Sequence, residues 1–341
     1  MNIPSASGFK QPSFVFSMSQ PYSSMVTAPD RLELRFAGNI PRVISPVTDS
    51  ETGQTRYLRH FTETFREGHT LGDLIQYTIS RPIYQNSTYE VLAASNGSDA
   101  QSLALGLFHA LGASGSGNIR IEASDLIPDN LSRVRHHFIG GQPHYIFETG
   151  ELRATPWQAL EGMWQVMIGQ LDIPPTPLSD YLQSSSVNNS TVKKLRAQDK
   201  PTDHPARRGV FENWWTRRMI EEEFFPMRPE VAQTLKRMLH MDKNAVNLVD
   251  RVAQQPGKDP DVQTPRIILA RNALYLLSPQ DIDRLTDALK NLPNDSLFVV
   301  GETEGRAGPD GNFDFTGFRE KIEEAGYQTL PQNGRIWHKA S

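Results

Sequence analysis

The chain contains no cysteine, which excludes a disulfide framework, a zinc–thiolate centre and a thiol nucleophile together. It also lacks a surplus of positive charge. The 35 Lys+Arg are set against 39 Asp+Glu, a formal net charge of −4, so the basic footprint that draws a domain onto nucleic acid is missing and no nucleic-acid partner is expected. No window approaches the ~20 consecutive apolar residues of a membrane span. The N-terminus lacks the basic start and apolar core of a secretory signal. A cytoplasmic protein with no membrane span is therefore the expectation. Glycine and proline are not scarce, at 24 each among 341 residues, and with 38% hydrophobic and 22% charged residues they describe a globular chain with long loops. The length suits one sizeable α/β domain with an appendage, or two modest domains.

Residues 1–29 are rich in Ser and Pro with scattered aromatics and no period. They read as a disordered arm, or as one docked loosely through Phe14, Val15, Phe16 and Tyr22. Leu32 to Phe36 reads as a strand, followed by turn-rich sequence. From Thr88 the pattern is regular: a buried strand over 89–94, a polar turn, a helix capped by Asp99 with Leu103, Leu107, Ala110 and Leu111 on one face, and a second strand over 119–123 that ends at Asp125. That is a βαβ unit. A helix is expected from Thr155-Pro156, a polar, Ser/Asn-rich loop over 183–204, and helices over 214–225 and 230–240. The alternation at 245–249 and the apolar runs 265–270 and 297–300 read as strands. Helices are expected over 278–291 and 315–325, with a closing hairpin turning at Asn333-Gly334.

The expected fold is α/β, a doubly wound, Rossmann-like sheet with helices on both faces and an antiparallel hairpin at the C-terminal edge. The chain divides into the arm (1–29), an N-terminal part of the sheet domain (30–125), a helical and loop insert (126–205) and a C-terminal part (206–341). Ligands of such sheets lie outside the carboxyl ends of the strands. Those ends are Ser95 to Asp99, Asp125, the stretch after Leu248, Ala270 to Asn272, and Gly301 to Glu304. Gly97 among small residues such as Ala93 permits close backbone approach, or merely makes a tight turn. Asp125 either accepts both hydroxyls of a ribose or caps a turn. His136, His137 and His144 lack the spacing of a metal site, and no metal is expected.

Several separated segments resemble the chemotaxis-receptor methyltransferase (CheR) family. Thr62 to Glu67 with His69 resembles its T-x-F-F-R-(E/D) segment. VLAASNGSDAQSLA over 91–104 resembles its glycine-bearing first motif, and Ala123-Ser124-Asp125 resembles A-T-D. Asn247-Leu248 resembles the N-L that follows the third strand. RIILARNALYLL over 266–277 resembles the segment containing R-N, and Gly301 to Glu304 resembles G-H-S-E. These matches come in family order.

The resemblance implies a class I methyltransferase that uses S-adenosylmethionine, with S-adenosylhomocysteine as product, and a protein side chain as acceptor, a glutamate-type carboxylate first. It implies donor contacts from His60, Thr62, Ala93, Gly97, Asp99, Asp125, Asn247 and Leu248. Arg66, Arg271, Asn272 and Tyr275 would face the reacting centre. From the residues alone, Arg66 also suits a surface ion pair, Asn247 an ordinary turn and Tyr275 the core or a pocket wall. Ser98 and Asp99 stand where the family has two acids, and Tyr275 lies one place early. A binding or scaffold protein without turnover, delivered by a specialised bacterial secretion system, is the alternative expectation.

Overall fold

In a computed structural model, the described residues are 32–34, 42–48, 55–59, 64–94, 97–126, 131, 138–141, 144–145, 152–154, 156–183, 223–254, 264–271, 273–302 and 313–340. The main sheet has seven strands: β1 (Thr88–Val91), β2 (Arg120–Ala123), β3 (Leu239–Met241), β4 (Ile267–Ala270), β5 (Leu297–Val300), β6 (Tyr327–Leu330) and β7 (Asn333–Lys339). Their order is β3-β2-β1-β4-β5-β7-β6. The first five run parallel, and β7 is antiparallel to both β5 and β6. The chain is thus α/β with a mostly parallel sheet, wound outward both ways from β1.

Alternation along each strand divides the helices into two layers. Tyr89, Val91, Ile267, Leu269, Leu297 and Val299 face α1 (Gly68–Ile79), α2 (Ser98–Gly115), α3 (Pro156–Ile168) and α4 (Pro229–Met238). Ile268, Ala270, Phe298, Val300 and Trp337 face α5 (Leu248–Ala253), α6 (Pro279–Lys290) and α7 (Phe315–Glu324). A three-stranded antiparallel sheet, Leu32–Leu34, Arg42–Thr48 and Thr55–Arg59, precedes this body. The turn-rich reading after Phe36 missed its second and third strands.

Other expectations also need correcting. The alternating run 245–249 is no strand: the third strand is Leu239–Met241, and Asn247 instead caps α5, its Oδ1 accepting the N–H groups of Val249 (2.8 Å) and Asp250 (3.4 Å). A side-chain cap on the following turn outweighs a short alternating pattern. Glu223–Pro226, expected to be helical, is a strand paired with Phe138–Gly141. The hairpin turns at Pro331 and Gln332, since Asn333 already pairs with Leu330. Asn333 is drawn into the strand because its buried amide donates to Asp73 Oδ2 on α1 (2.7 Å).

On the α5 face, the central strands carry charge. The Arg266 guanidinium embraces Glu90 through Nε (2.6 Å) and Nη2 (2.8 Å), and it also donates to the carbonyls of Val252 (2.9 Å), Gln254 (3.0 Å) and Arg251 (3.1 Å). Arg251 bonds Glu90 and Glu122. Buried charges persist only when their donors and acceptors are matched in this way. The consequence is positional, because the end of α5 is tied to β1 and its start stays beside the end of β2.

The helix α3, in the expected insert, packs against α1 at backbone distance. A Cβ on Gly72 would stand 2.1 Å from the Met167 carbonyl oxygen, and one on Gly68 2.7 Å from that of Met163. Gly162, inside α3, has no heavy atom within 4 Å of such a position. Gly72→Ala should therefore cost ~1–3 kcal/mol of unfolding free energy through overpacking, whereas Gly162→Ala should gain ~0.5–1 kcal/mol from helix propensity. Urea unfolding of the two variants checks the opposite signs.

Candidate functional site

The carboxyl end of β4 meets the turn that precedes α1 and the start of α2; Arg66 lies in that turn, Ala93, Asp125 and Arg271 follow the ends of β1, β2 and β4, and Gly97 and Asp99 start α2. Residues 64–67 form that turn, with Phe65 at φ 57° and Glu67 at φ 52°. Ala93, after β1, has φ 50°. These are three of the four non-glycine residues with left-handed backbone among the described residues, so conformational strain concentrates at this end of the sheet. Tertiary contacts hold the strained turn. The Phe65 N–H donates to Ser102 Oγ on α2 (2.8 Å), and its ring lies 5.2 Å from the buried Trp164 on α3.

Arg271, directly after β4, is the hub. Its side chain is 1% exposed. Nη1 donates to Asp99 Oδ1 in the first turn of α2 (3.0 Å), and Nη2 donates to the Arg66 carbonyl (2.5 Å) and to Glu67 Oε2 (3.3 Å). Arg335 from β7 reaches the same Glu67 oxygen at 3.1 Å. Arg66 lies 3.9 Å from the other. The buried Arg271 Nε meets no partner among the described residues. Asp99 therefore does not cap α2, as expected from sequence. Its carboxylate is taken by Arg271, and the N-cap is Gly97 at φ 83°, which leaves the first-turn N–H groups of α2 turned toward the strand ends.

A second group adjoins this hub. The Asp125 carbonyl accepts the Val246 N–H (3.0 Å) and the Ala123 carbonyl that of Asp242 (2.9 Å), so the loop before α5 folds across the end of β2. That brings the buried Asp125 beside Asn247. Asn247 has its Oδ1 committed to the helix cap, and Leu248 packs into the core with Val249 and Val252. Tyr275 is half-buried in the turn Leu274–Leu276 after β4. His60, Thr62 and Asn272 lie outside the described residues, as do the arm 1–29, His136 and His137.

Sequence reasoning placed Glu67 and Glu302 in segments that resemble the family but gave neither a role of its own, and it gave none to Arg335. Glu302 follows the wholly buried β5 and is itself 1% exposed. A carboxylate at the carboxyl end of a buried strand is a legible signal. Arg335 carries none, since only the hairpin's path brings it to Glu67. Burial pushes the Asp99 carboxyl above its ordinary range, against the pull of Arg271 and Arg66, and it pushes that of Glu302 up to about 7. Four acids (Glu67, Asp99, Asp125, Glu302) thus stand against three arginines (Arg66, Arg271, Arg335).

Among the described residues no group of three or more His, Asp or Glu could hold a metal ion, and no helix is long and apolar enough to cross a membrane. Compared with known proteins, the sequence matches no family model and no curated protein.

The hub carries a signed expectation. Arg271→Met leaves Asp99 and Glu67 without their buried cation, at a cost of ~3–5 kcal/mol near pH 8. Removing that cation raises the folded-state Asp99 pKa further above its unfolded value. A carboxyl shifted upward loses stability as pH rises through its folded pKa, so the deficit of the variant against wild type should shrink as pH falls from 8 to 5. Chemical denaturation across that range checks it.

Proposed function

We propose that this chain is a class I methyltransferase of the chemotaxis-receptor type, which moves a methyl group from S-adenosylmethionine to a protein side chain, a carboxylate first. One observation carries the reading. Arg271 gathers the turn of Thr64 to Glu67 and the start of α2 at the end of β4, so three of the segments that bear the family resemblance come to one place. The sheet order with its antiparallel C-terminal hairpin supports the same reading.

The residues fit the donor. Asp125 is a buried carboxylate at the end of β2, suited to ribose hydroxyls. Asn247 and Leu248 start α5 beside it and would flank the base. Ala93 and Gly97 leave the backbone open to the methionyl part, and Asp99 and Glu67 offer negative charge near a sulfonium. When bound, the donor supplies an electrophilic methyl with its own leaving group. An acceptor carboxylate is already a nucleophile at neutral pH, so the chain needs no strong base. Its part is alignment and exclusion of water. Arg66, in the turn before α1 with its side chain 15% exposed, would orient an acceptor carboxylate.

The engagement of Asp99 by Arg271 favours a second reading, a protein that holds the donor without turning it over. Calorimetric titration with S-adenosylhomocysteine tests the shared premise. Micromolar binding that weakens ~10–100-fold in Asp125→Ala is expected from the loss of charge-assisted hydrogen bonds. No heat with the wild type contradicts both readings. Transfer of labelled methyl to protein then separates enzyme from scaffold.

A further inference from the structure

Glu302 is a buried carboxylate that the reading above leaves without work. Its Oε1 accepts the N–H of Leu274 (2.8 Å) and its Oε2 that of Gly301 (3.1 Å). The first donor belongs to the turn after β4 and the second to the end of β5, so one side chain joins two strand ends. It makes no ion pair among the described residues. Desolvating a carboxylate for two backbone bonds costs more than an apolar side chain would, unless those bonds hold something in place. What they hold is the turn Leu274–Leu276, which carries Tyr275 and begins three residues after Arg271.

We propose that Glu302 is a positioning residue, whose carboxylate staples the turn bearing Tyr275 to the end of β5 and so fixes the wall of the donor site. This inference rests on the donor reading above. Both partners of Glu302 are N–H donors, and the ionised form serves them both best. In the neutral acid one donor faces a hydroxyl oxygen, a weaker acceptor, and that bond loosens. Burial brings that change to about pH 7. The charged groups that bear on it are Glu67, from the turn before α1, and Arg271, from the end of β4, with Asp99 on α2 and Arg335 on β7 joined to it through these two. The staple is therefore closed at pH 8 and half open near neutrality.

The test uses the full chain, wild type and Glu302→Gln, with S-adenosylhomocysteine as probe because its sulfur is uncharged and does not respond to the local field as a sulfonium does. In wild type, the amide resonances of Leu274 and Gly301 should titrate together with a midpoint near 7, a readout that needs no variant. S-adenosylhomocysteine affinity should fall several-fold between pH 8 and pH 6. In Glu302→Gln neither amide should titrate, and at pH 8 the affinity should be about tenfold weaker with the pH dependence gone. Amides that do not shift in wild type overturn the staple. Equal affinity in both proteins at both pH values overturns the positioning role alone, whereas absence of binding by the wild type overturns the donor reading and this role with it.

Discussion

A guanidinium removed from water must find acceptors, and that of Arg271 finds them on segments far apart in the chain: the carbonyl of Arg66, the carboxylate of Glu67 and the carboxylate of Asp99. The rest of the site depends on this contact. It stands at the end of β4, where the sheet order places β1 alongside, so the turn before α1 and the start of α2 can both reach it. The left-handed conformations of Phe65 and Glu67 would be costly in isolation. Here they are held from one side by Arg271 and from the other by Ser102 and Trp164. The helix that supplies Trp164 is also the one that crosses α1 at its glycines, so the packing of α3 reaches the site through the contact of Phe65 with Trp164.

A second buried arginine does the corresponding work on the opposite face. Arg266 ties the carbonyls at the end of α5 to Glu90 on β1. With only six residues, α5 has little apolar surface of its own, and this network holds its starting residues, Asn247 and Leu248, beside Asp125. Two arginines that immediately precede and follow a central strand would do less if they were lysines. The bidentate grip on Glu90 and the three-way hold of Arg271 need a planar fork of donors.

The apolar runs made much of the fold legible. The strand Leu297–Val300 and the helix Pro279–Lys290, with Ser278 as its cap, were readable because burial on both faces and a capping oxygen leave direct marks in sequence. The third strand was not, because Leu239–Met241 is three residues long and follows α4 without a break, whereas the alternation at 245–249 imitated a strand. In the site, Arg66, Asp99, Asp125 and Arg271 were nameable from motif order and strand ends. Their partnerships were not. That Asp99 serves Arg271 rather than its own helix, and that Arg335 meets Glu67, follows from the path of the sheet and the hairpin, which no local pattern encodes. The tight α1–α3 crossing was equally hidden, since a glycine in a helix shows its purpose only when its neighbour is known.

The most direct measurement is a crystal structure of the chain grown with S-adenosylhomocysteine. The expected result is electron density with its ribose on the Asp125 carboxylate and its amino-acid tail beside Gly97, while Arg271 keeps its contacts with Asp99 and Glu67. A ligand bound elsewhere, or an Arg271 side chain that points away from the turn before α1, would contradict the central claim that these segments form one donor site.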